Sequence, residues 1–254
     1  MPATRATDRS ELGGEGTDRG AGPGPLRIGI IIGSTRPGRL GESVARWVYE
    51  IARKRSDAVF ELIDLKDYNL PHLDEPLSPS FGRYAKDHTK AWSRKIASLD
   101  AFVFVTPEYN HSTSGVLKNA IDFLYAEWNN KAAGFVSYGG SGGVRAVEHL
   151  RLVLGELQVA DVRAQASFSL VSDFENFRTF RPEPSKEGSV NAMLDQVIAW
   201  GNALRPLRIP SIPGVPAVEG KRSVELSPPA QSGEPKAIEH PVHVSEVVVG
   251  GTPY

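Results

Sequence analysis

Three short segments concentrate the side chains able to do chemistry. The first is Gly33-Ser34-Thr35-Arg36-Pro37-Gly38-Arg39-Leu40-Gly41-Glu42-Ser43. It joins a β-branched apolar run to an amphipathic stretch, so it reads as a strand-to-helix turn. Free backbone N–H groups and the helix dipole favour an anion at such a turn. Ser34, Thr35 and Ser43 add hydroxyls, and Arg36 and Arg39 add charge-assisted donors. The guest that this set suits is a phosphate. The second segment is Thr106-Pro107-Glu108-Tyr109-Asn110-His111-Ser112-Thr113-Ser114-Gly115. Pro107 stiffens its exit, Tyr109 offers an aromatic face, and Asn110 and His111 offer directional hydrogen bonds. That mixture suits a planar ring edged with heteroatoms. The third is Ser137-Tyr138-Gly139-Gly140-Ser141-Gly142-Gly143. Its glycines let the backbone approach a flat ligand closely, and its N–H groups can stabilise negative charge as an oxyanion hole does.

Two nucleotide motifs compete for the first segment, and both fail. Gly33 to Gly38 has the Gly-x-x-x-x-Gly frame of a triphosphate loop, but Arg39 and Leu40 stand where lysine and Ser/Thr are needed. No Gly-x-Gly-x-x-Gly dinucleotide fingerprint is present at this turn. A single terminal phosphate fits better than a pyrophosphate. The third segment also matches Gly-x-Ser-x-Gly, the nucleophile elbow of serine hydrolases, around Ser141. A triad needs an acid and then a histidine downstream. His149 falls inside the next helix, and the later His240 and His243 lie in a proline-rich tail.

The elements that must carry these loops follow from periodicity. Residues 27–32 and 101–105 are apolar runs without alternation, as expected of strands buried on both faces. Further strands are expected at 58–63, 132–138 and 159–164. Helices are expected where Val44, Trp47, Val48 and Ile51 recur, over 82–97, around Val116, Leu117, Ala120, Ile121 and Leu124, from Val147 to Leu157, and around Val190, Met193, Leu194, Val197 and Ile198. Five strands alternating with five helices make an α/β, doubly wound, three-layer fold with a five-stranded parallel sheet. The expected order is the flavodoxin-like 2-1-3-4-5, which brings the loops after strands 1, 3 and 4 together at the switch point.

Composition narrows the functional class. The chain has 254 residues, is 40% hydrophobic, and balances 29 basic against 30 acidic residues. That gives no nucleic-acid footprint. It has no cysteine, so disulfides and thiolate chemistry are out. Its longest apolar runs fall far short of the roughly 20 residues of a membrane helix, so no membrane partner is expected. Residues 1–25 mix charges with Gly and Pro and read as a disordered N-terminal tail without a signal core. Residues 206–254 hold nine prolines and read as a Pro-rich extension, although the valine-rich stretch 242–249 could dock as a strand. The folded domain is expected over 26–205.

The stretches GSTRPGRLGESVA, TPEYNHSTSGVLKNAIDFL and SYGGSGGVRAVEHLR resemble the signature segments of the NADPH-dependent FMN reductase family. That family is flavodoxin-like and includes chromate, quinone and azo-dye reductases. The resemblance covers residues 27 to about 200. It implies that Ser34, Thr35, Arg36 and the residues leading into the helix, Arg39, Gly41, Glu42 and Ser43, hold the FMN phosphate. It implies that Pro107, Glu108, Tyr109, Asn110 and His111 hold one side of the isoalloxazine, and Ser137, Tyr138, Gly139 and Gly140 the other edge. Relatives often carry a small polar residue after the first-loop arginine, where this chain has Pro37-Gly38-Arg39.

The implied activity is hydride transfer from NADPH or NADH to bound FMN, then to a quinone, azo, metal-oxyanion or flavin acceptor. The cofactor carries the chemistry, so no side chain is assigned as catalytic. A cytoplasmic homodimer or homotetramer is implied as well. Two other readings stay open: a flavin-binding electron carrier or interaction module without turnover, and a serine hydrolase using Ser141. No metal site is expected, since His240 and His243 have no third ligand near them. Phe174, Phe177 and Phe180 are expected to pack locally in a loop, with walling of an acceptor pocket or a subunit contact as the alternative. Tyr125 and Trp128 have the same two readings. Asp74 and Glu75 read as solvated.

Overall fold

The computed structural model describes residues 24–208. Strand β1 (Leu26–Ile32) leads to helix α1 (Gly41–Ala52), and β2 (Ala58–Asp64) to the single turn α2 (Leu65–Tyr68). A 3-10 turn (Pro79–Phe81) and helix α3 (Asp87–Ala97) follow. Then β3 (Ala101–Pro107), α4 (Gly115–Asp122), β4 (Ala132–Gly139), α5 (Val144–Glu156) and β5 (Ala160–Ser169) alternate. A two-stranded hairpin, β6 (Phe174–Glu175) and β7 (Thr179–Phe180), precedes helix α6 (Lys186–Leu204).

The five main strands are parallel, in the order β2-β1-β3-β4-β5. This is the flavodoxin-like order expected from the sequence. Alternate residues of β1, β3 and β4 enter opposite cores. Ile28, Ile30 and Ile32 of β1, with Val103 and Val105 of β3, pack under α1 and α6. Ile31, Phe102 and Phe104 face α3, α4 and α5 instead. A strand buried on both faces has no polar side to display, which is why the β1 and β3 runs show no alternation.

Several elements depart from the sequence reading. Strand β5 runs to Ser169, five residues past its expected end. It is an edge strand with a register shift opposite Ala133 and Phe135, so it lacks a continuous apolar run. Arg151 donates to the Val162 carbonyl at 2.9 Å, and Gln196 accepts the Ala164 N–H at 3.0 Å. These contacts occupy backbone groups that an open edge would leave unpaired. Helix α3 starts at Asp87 rather than at residue 82. The Glu75 carboxylate accepts the Ala85 and Lys86 N–H groups at 2.8 and 3.0 Å and organises that helix start. Glu75 is therefore engaged rather than simply solvated, and Asp74 pairs with His88.

The aromatic residues behave unevenly. Phe174 and Phe180 pair across the hairpin and pack against Tyr138, Trp47 and Phe168, while Phe177 is exposed at the tip. Trp128 is wholly buried against Phe102 and Phe104, with its indole N–H on the Ile121 carbonyl at 3.1 Å. It is a core residue, not a pocket wall. Val116 points outward from α4. The expected N-terminal tail, the proline-rich extension with residues 242–249, and His240 and His243 lie outside the described residues. Among the described residues, no helix is long and apolar enough to cross a membrane.

Candidate functional site

Parallel pairing brings the ends of β1, β3 and β4 to one edge of the sheet. Ile32 aligns with Val105, and Thr106 and Pro107 align with Ser137 and Tyr138. The three loops therefore leave the sheet side by side. Hydrogen bonds then tie them together. The Ser114 hydroxyl donates to the Gly33 carbonyl and also caps α4 by accepting the Leu117 N–H. The buried Ser34 hydroxyl lies 3.2 Å from the Tyr109 hydroxyl. The Glu108 N–H donates to the Tyr138 carbonyl at 3.0 Å.

In the first loop, Arg36 and Arg39 have different surroundings. The Arg39 side chain is only 8% exposed. It donates to the Ser34 carbonyl at 2.7 Å, to both carboxylate oxygens of Asp64 at the end of β2, and to Glu42. Burial works against its charge, but the two carboxylates prevail and raise its affinity for a proton. Arg46 and Arg39 together hold the Glu42 carboxyl below its ordinary range. Arg36 is exposed, and its guanidinium makes no ion pair among the described residues. Thr35 is half-buried beside it, and the Ser43 hydroxyl donates to the Leu40 carbonyl.

Gly41 begins α1 directly against Tyr138. A Cβ at that position would come within 2.6 Å of the Tyr138 hydroxyl. That hydroxyl is buried and has no hydrogen-bond partner among the described residues. Burial makes its proton harder to remove, and nearby Tyr109 adds to the effect. The charges of Arg39 and Arg36 pull the other way.

The second loop turns sharply. Tyr109 and Ser112 exchange backbone hydrogen bonds of 2.9 and 3.1 Å across Asn110 and His111. Both central residues have positive φ, 47° and 73°, the pattern of a type I′ turn. Asn110 tolerates this backbone, whereas it is less favourable for His111, and strain of this kind clusters at functional sites. Asn110 and His111 are presented outward. Glu108 points inward, with its side chain 6% exposed. Its carboxylate takes Arg145 Nε at 2.6 Å and the Arg145 N–H at 3.1 Å. Burial would raise its pKa, but Arg145 and the backbone N–H groups of α5 override that and lower it.

The third loop is held from beneath. The Ser137 and Ser167 hydroxyls both donate to the Gly142 carbonyl, at 2.7 and 2.9 Å. Gly142 and Gly143 have φ of 74° and 76°, which only glycine adopts freely. Gly140 is exposed, with open space where a Cβ would stand, while Gly139 is packed against Glu108. Ser141 is exposed at the turn, and among the described residues no hydrogen bond joins it to a histidine. His149 Nδ1 is instead 2.9 Å from the Ser112 hydroxyl. The hydrolase reading thus finds no Ser-His pair among the described residues. Nor do those residues hold any group of three or more His, Asp or Glu arranged for a metal ion.

The model of the NADPH-dependent FMN reductase family matches residues 26–173. The chain belongs to that family. An NAD(P)H-dependent FMN reductase of Schizosaccharomyces pombe is 42% identical over 149 residues, 58% of this chain and 74% of the relative. A quinone reductase of Escherichia coli K12 is 36% identical over 192 residues, 72% of this chain and 98% of the relative. The flavoenzyme NAD(P)H:(acceptor) oxidoreductase FerB of Paracoccus denitrificans shares the fold. Its TM-score is 0.53 at 21% identity, covering 70% of this chain and 98% of FerB. The chain is an oxidoreductase of the family that works with FMN and NAD(P)H. The donor chemistry fits that cofactor. An unpaired guanidinium, a helix N-terminus bare of Cβ at Gly41 and an orphaned phenol suit a phosphate, and an exposed glycine backbone suits a flat ring.

The sequence reading missed what Glu108 and Arg39 do with their side chains. Both spend them on other parts of the protein. Arg145, 37 residues from Glu108, carried no local signal at all.

Proposed function

We propose that this chain reduces quinone-type acceptors with NADPH or NADH through FMN bound across the three loops. The observation that carries the reading is the convergence of those loops through Ser34–Tyr109, Ser114–Gly33 and Glu108–Arg145. Bound FMN would supply the two-electron chemistry. Ser34, Thr35, Arg36 and the N–H groups at the start of α1, near Gly41, Glu42 and Ser43, would bind its phosphate. Arg39 would brace that loop from behind, because its donors are already engaged. The turn from Pro107 to His111 would flank one side of the ring, and the backbone of Ser137 to Gly140 the other edge. Ser112, which closes this turn, meets His149 of α5 at 2.9 Å.

The quinone class is favoured because relatives are named for it, among them a quinone reductase of Escherichia coli and a 2-hydroxy-1,4-benzoquinone reductase of a Burkholderia species. Azo dyes, metal oxyanions and free flavin are further acceptor classes for the same exposed site. The reading extends to a catalytic unit over residues 26–205, and to a cytoplasmic homodimer or homotetramer. Steady-state assays with NADPH, NADH and a series of benzoquinones test it. Multiple turnovers with a quinone are expected. A single stoichiometric oxidation without turnover would support the electron-carrier reading instead.

A further inference from the structure

We propose that Glu108 and Arg145 form a charge-balanced pair that sets the redox potential of the cofactor held between the second and third loops. The proposal rests on the proposed placement of FMN across those loops. Both are positioning residues, since they act through each other and through the start of α5.

Glu108 is the most enclosed acid of the three loops, and its main chain already joins β3 to β4 through the Tyr138 carbonyl. Its Cβ lies only 3.2 Å from where a Gly139 side chain would begin. The carboxylate therefore stands against the glycine loop. It accepts from the guanidinium of Arg145 and from the Arg145 N–H in the first turn of α5. It thus answers two positive features at once, a full charge and the partial charge of a helix N-terminus. The pair as a whole is neutral. Arg145 is 45% exposed on its outer side, so its packing contribution is small compared with its charge.

A flavin reduced by two electrons gains negative charge, and fixed charges close to it bias that equilibrium. Removing Glu108 leaves Arg145 and the α5 N-terminus unanswered. The site becomes more positive and favours the reduced cofactor. Removing Arg145 leaves a carboxylate that only the helix end answers, and the oxidised cofactor is favoured. The two deletions must act in opposite directions. A pair that merely held two loops together would not produce that signature.

The test is a spectroelectrochemical titration of the FMN-saturated protein with chemical reductant and reference dyes, which needs no nicotinamide. Glu108→Gln is expected to raise the midpoint potential and Arg145→Gln to lower it. Each shift should correspond to a roughly tenfold change in the oxidised-to-reduced equilibrium, about 30 mV for a two-electron couple. Arg145→Lys should stay near the wild-type value. Shifts in the same direction, no shift, or an Arg145→Lys value equal to that of Arg145→Gln would overturn the proposal. If Glu108→Gln does not fold, the two Arg145 variants decide by themselves. A wild-type chain that takes up no FMN would contradict the site reading instead, before any variant is compared.

Discussion

The hydroxyls of Ser34 and Tyr109 meet at 3.2 Å across 75 residues of chain. One sits in the loop suited to a phosphate, and the other on the turn suited to a ring. The contact therefore ties the loop proposed for the phosphate to the turn proposed for the ring. Tyr109→Phe removes it and leaves the ring face intact. FMN affinity is expected to fall about fivefold, the worth of a hydrogen bond of roughly 1 kcal/mol. Fluorescence titration of apoprotein with FMN measures this, and an unchanged Kd would show that the contact does not organise the site.

The two arginines of the first loop should separate cleanly. Arg36→Met removes an exposed, unpaired cation, so stability should stay within about 0.5 kcal/mol. It should weaken FMN while leaving riboflavin, which lacks the phosphate, unaffected. Arg39→Met strands the Asp64 carboxylate and should destabilise the fold by on the order of 3 kcal/mol. Urea denaturation alongside FMN and riboflavin titrations gives both readings. Equal loss of FMN and riboflavin affinity in Arg36→Met would exclude Arg36 from the phosphate.

Gly41→Ala places a methyl 2.6 Å from the Tyr138 hydroxyl. Overpacking of this kind costs about 1–3 kcal/mol. Tyr138→Phe removes the clashing atom, an orphaned phenol oxygen, and should be close to neutral alone. Combined, the two changes should recover most of the loss, a coupling that a double-mutant cycle measures directly.

Much of this architecture was legible in the residues. The β1 and β3 runs are buried on both faces, and burial on both faces is what a short β-branched run without alternation signals. The three loops stood out because hydroxyls, arginines and glycines crowd short connections between strong elements. What stayed hidden was long-range. Strand β5 is bulged at the sheet edge, so its last residues carry no continuous apolar signal. The chain leading into α3 is held by Glu75, ten residues before the first N–H that it accepts. Trp128 packs into the core against β3 with its N–H on α4, the favoured of its readings. Glu108 sits in the right loop, but its partner Arg145 is reached only through the parallel pairing of β3 with β4.

Lys131, far from the three loops, should leave a mark on alkaline stability. Burial, with Arg208 adding to it, depresses its pKa to about 7, against the pull of Asp100 and Glu127. Between pH 7 and its unfolded value near 10.4, the unfolded chain binds the extra proton. Its contribution to stability therefore rises with pH through that window, by at most about 1.4 kcal/mol per unit, and is lost as pH falls back to 7. Chemical denaturation at pH 7 and pH 9 tests the sign. Lys131→Met should flatten the rise, and an identical slope in the variant would locate the proton elsewhere.

The most direct test of the central claim is the visible spectrum of the FMN-loaded protein, titrated anaerobically with NADPH or NADH and then with a benzoquinone. Flavin absorbance is expected to bleach with about one equivalent of nicotinamide and to return on adding the quinone. A flavin that stays oxidised with both nicotinamides would contradict the account.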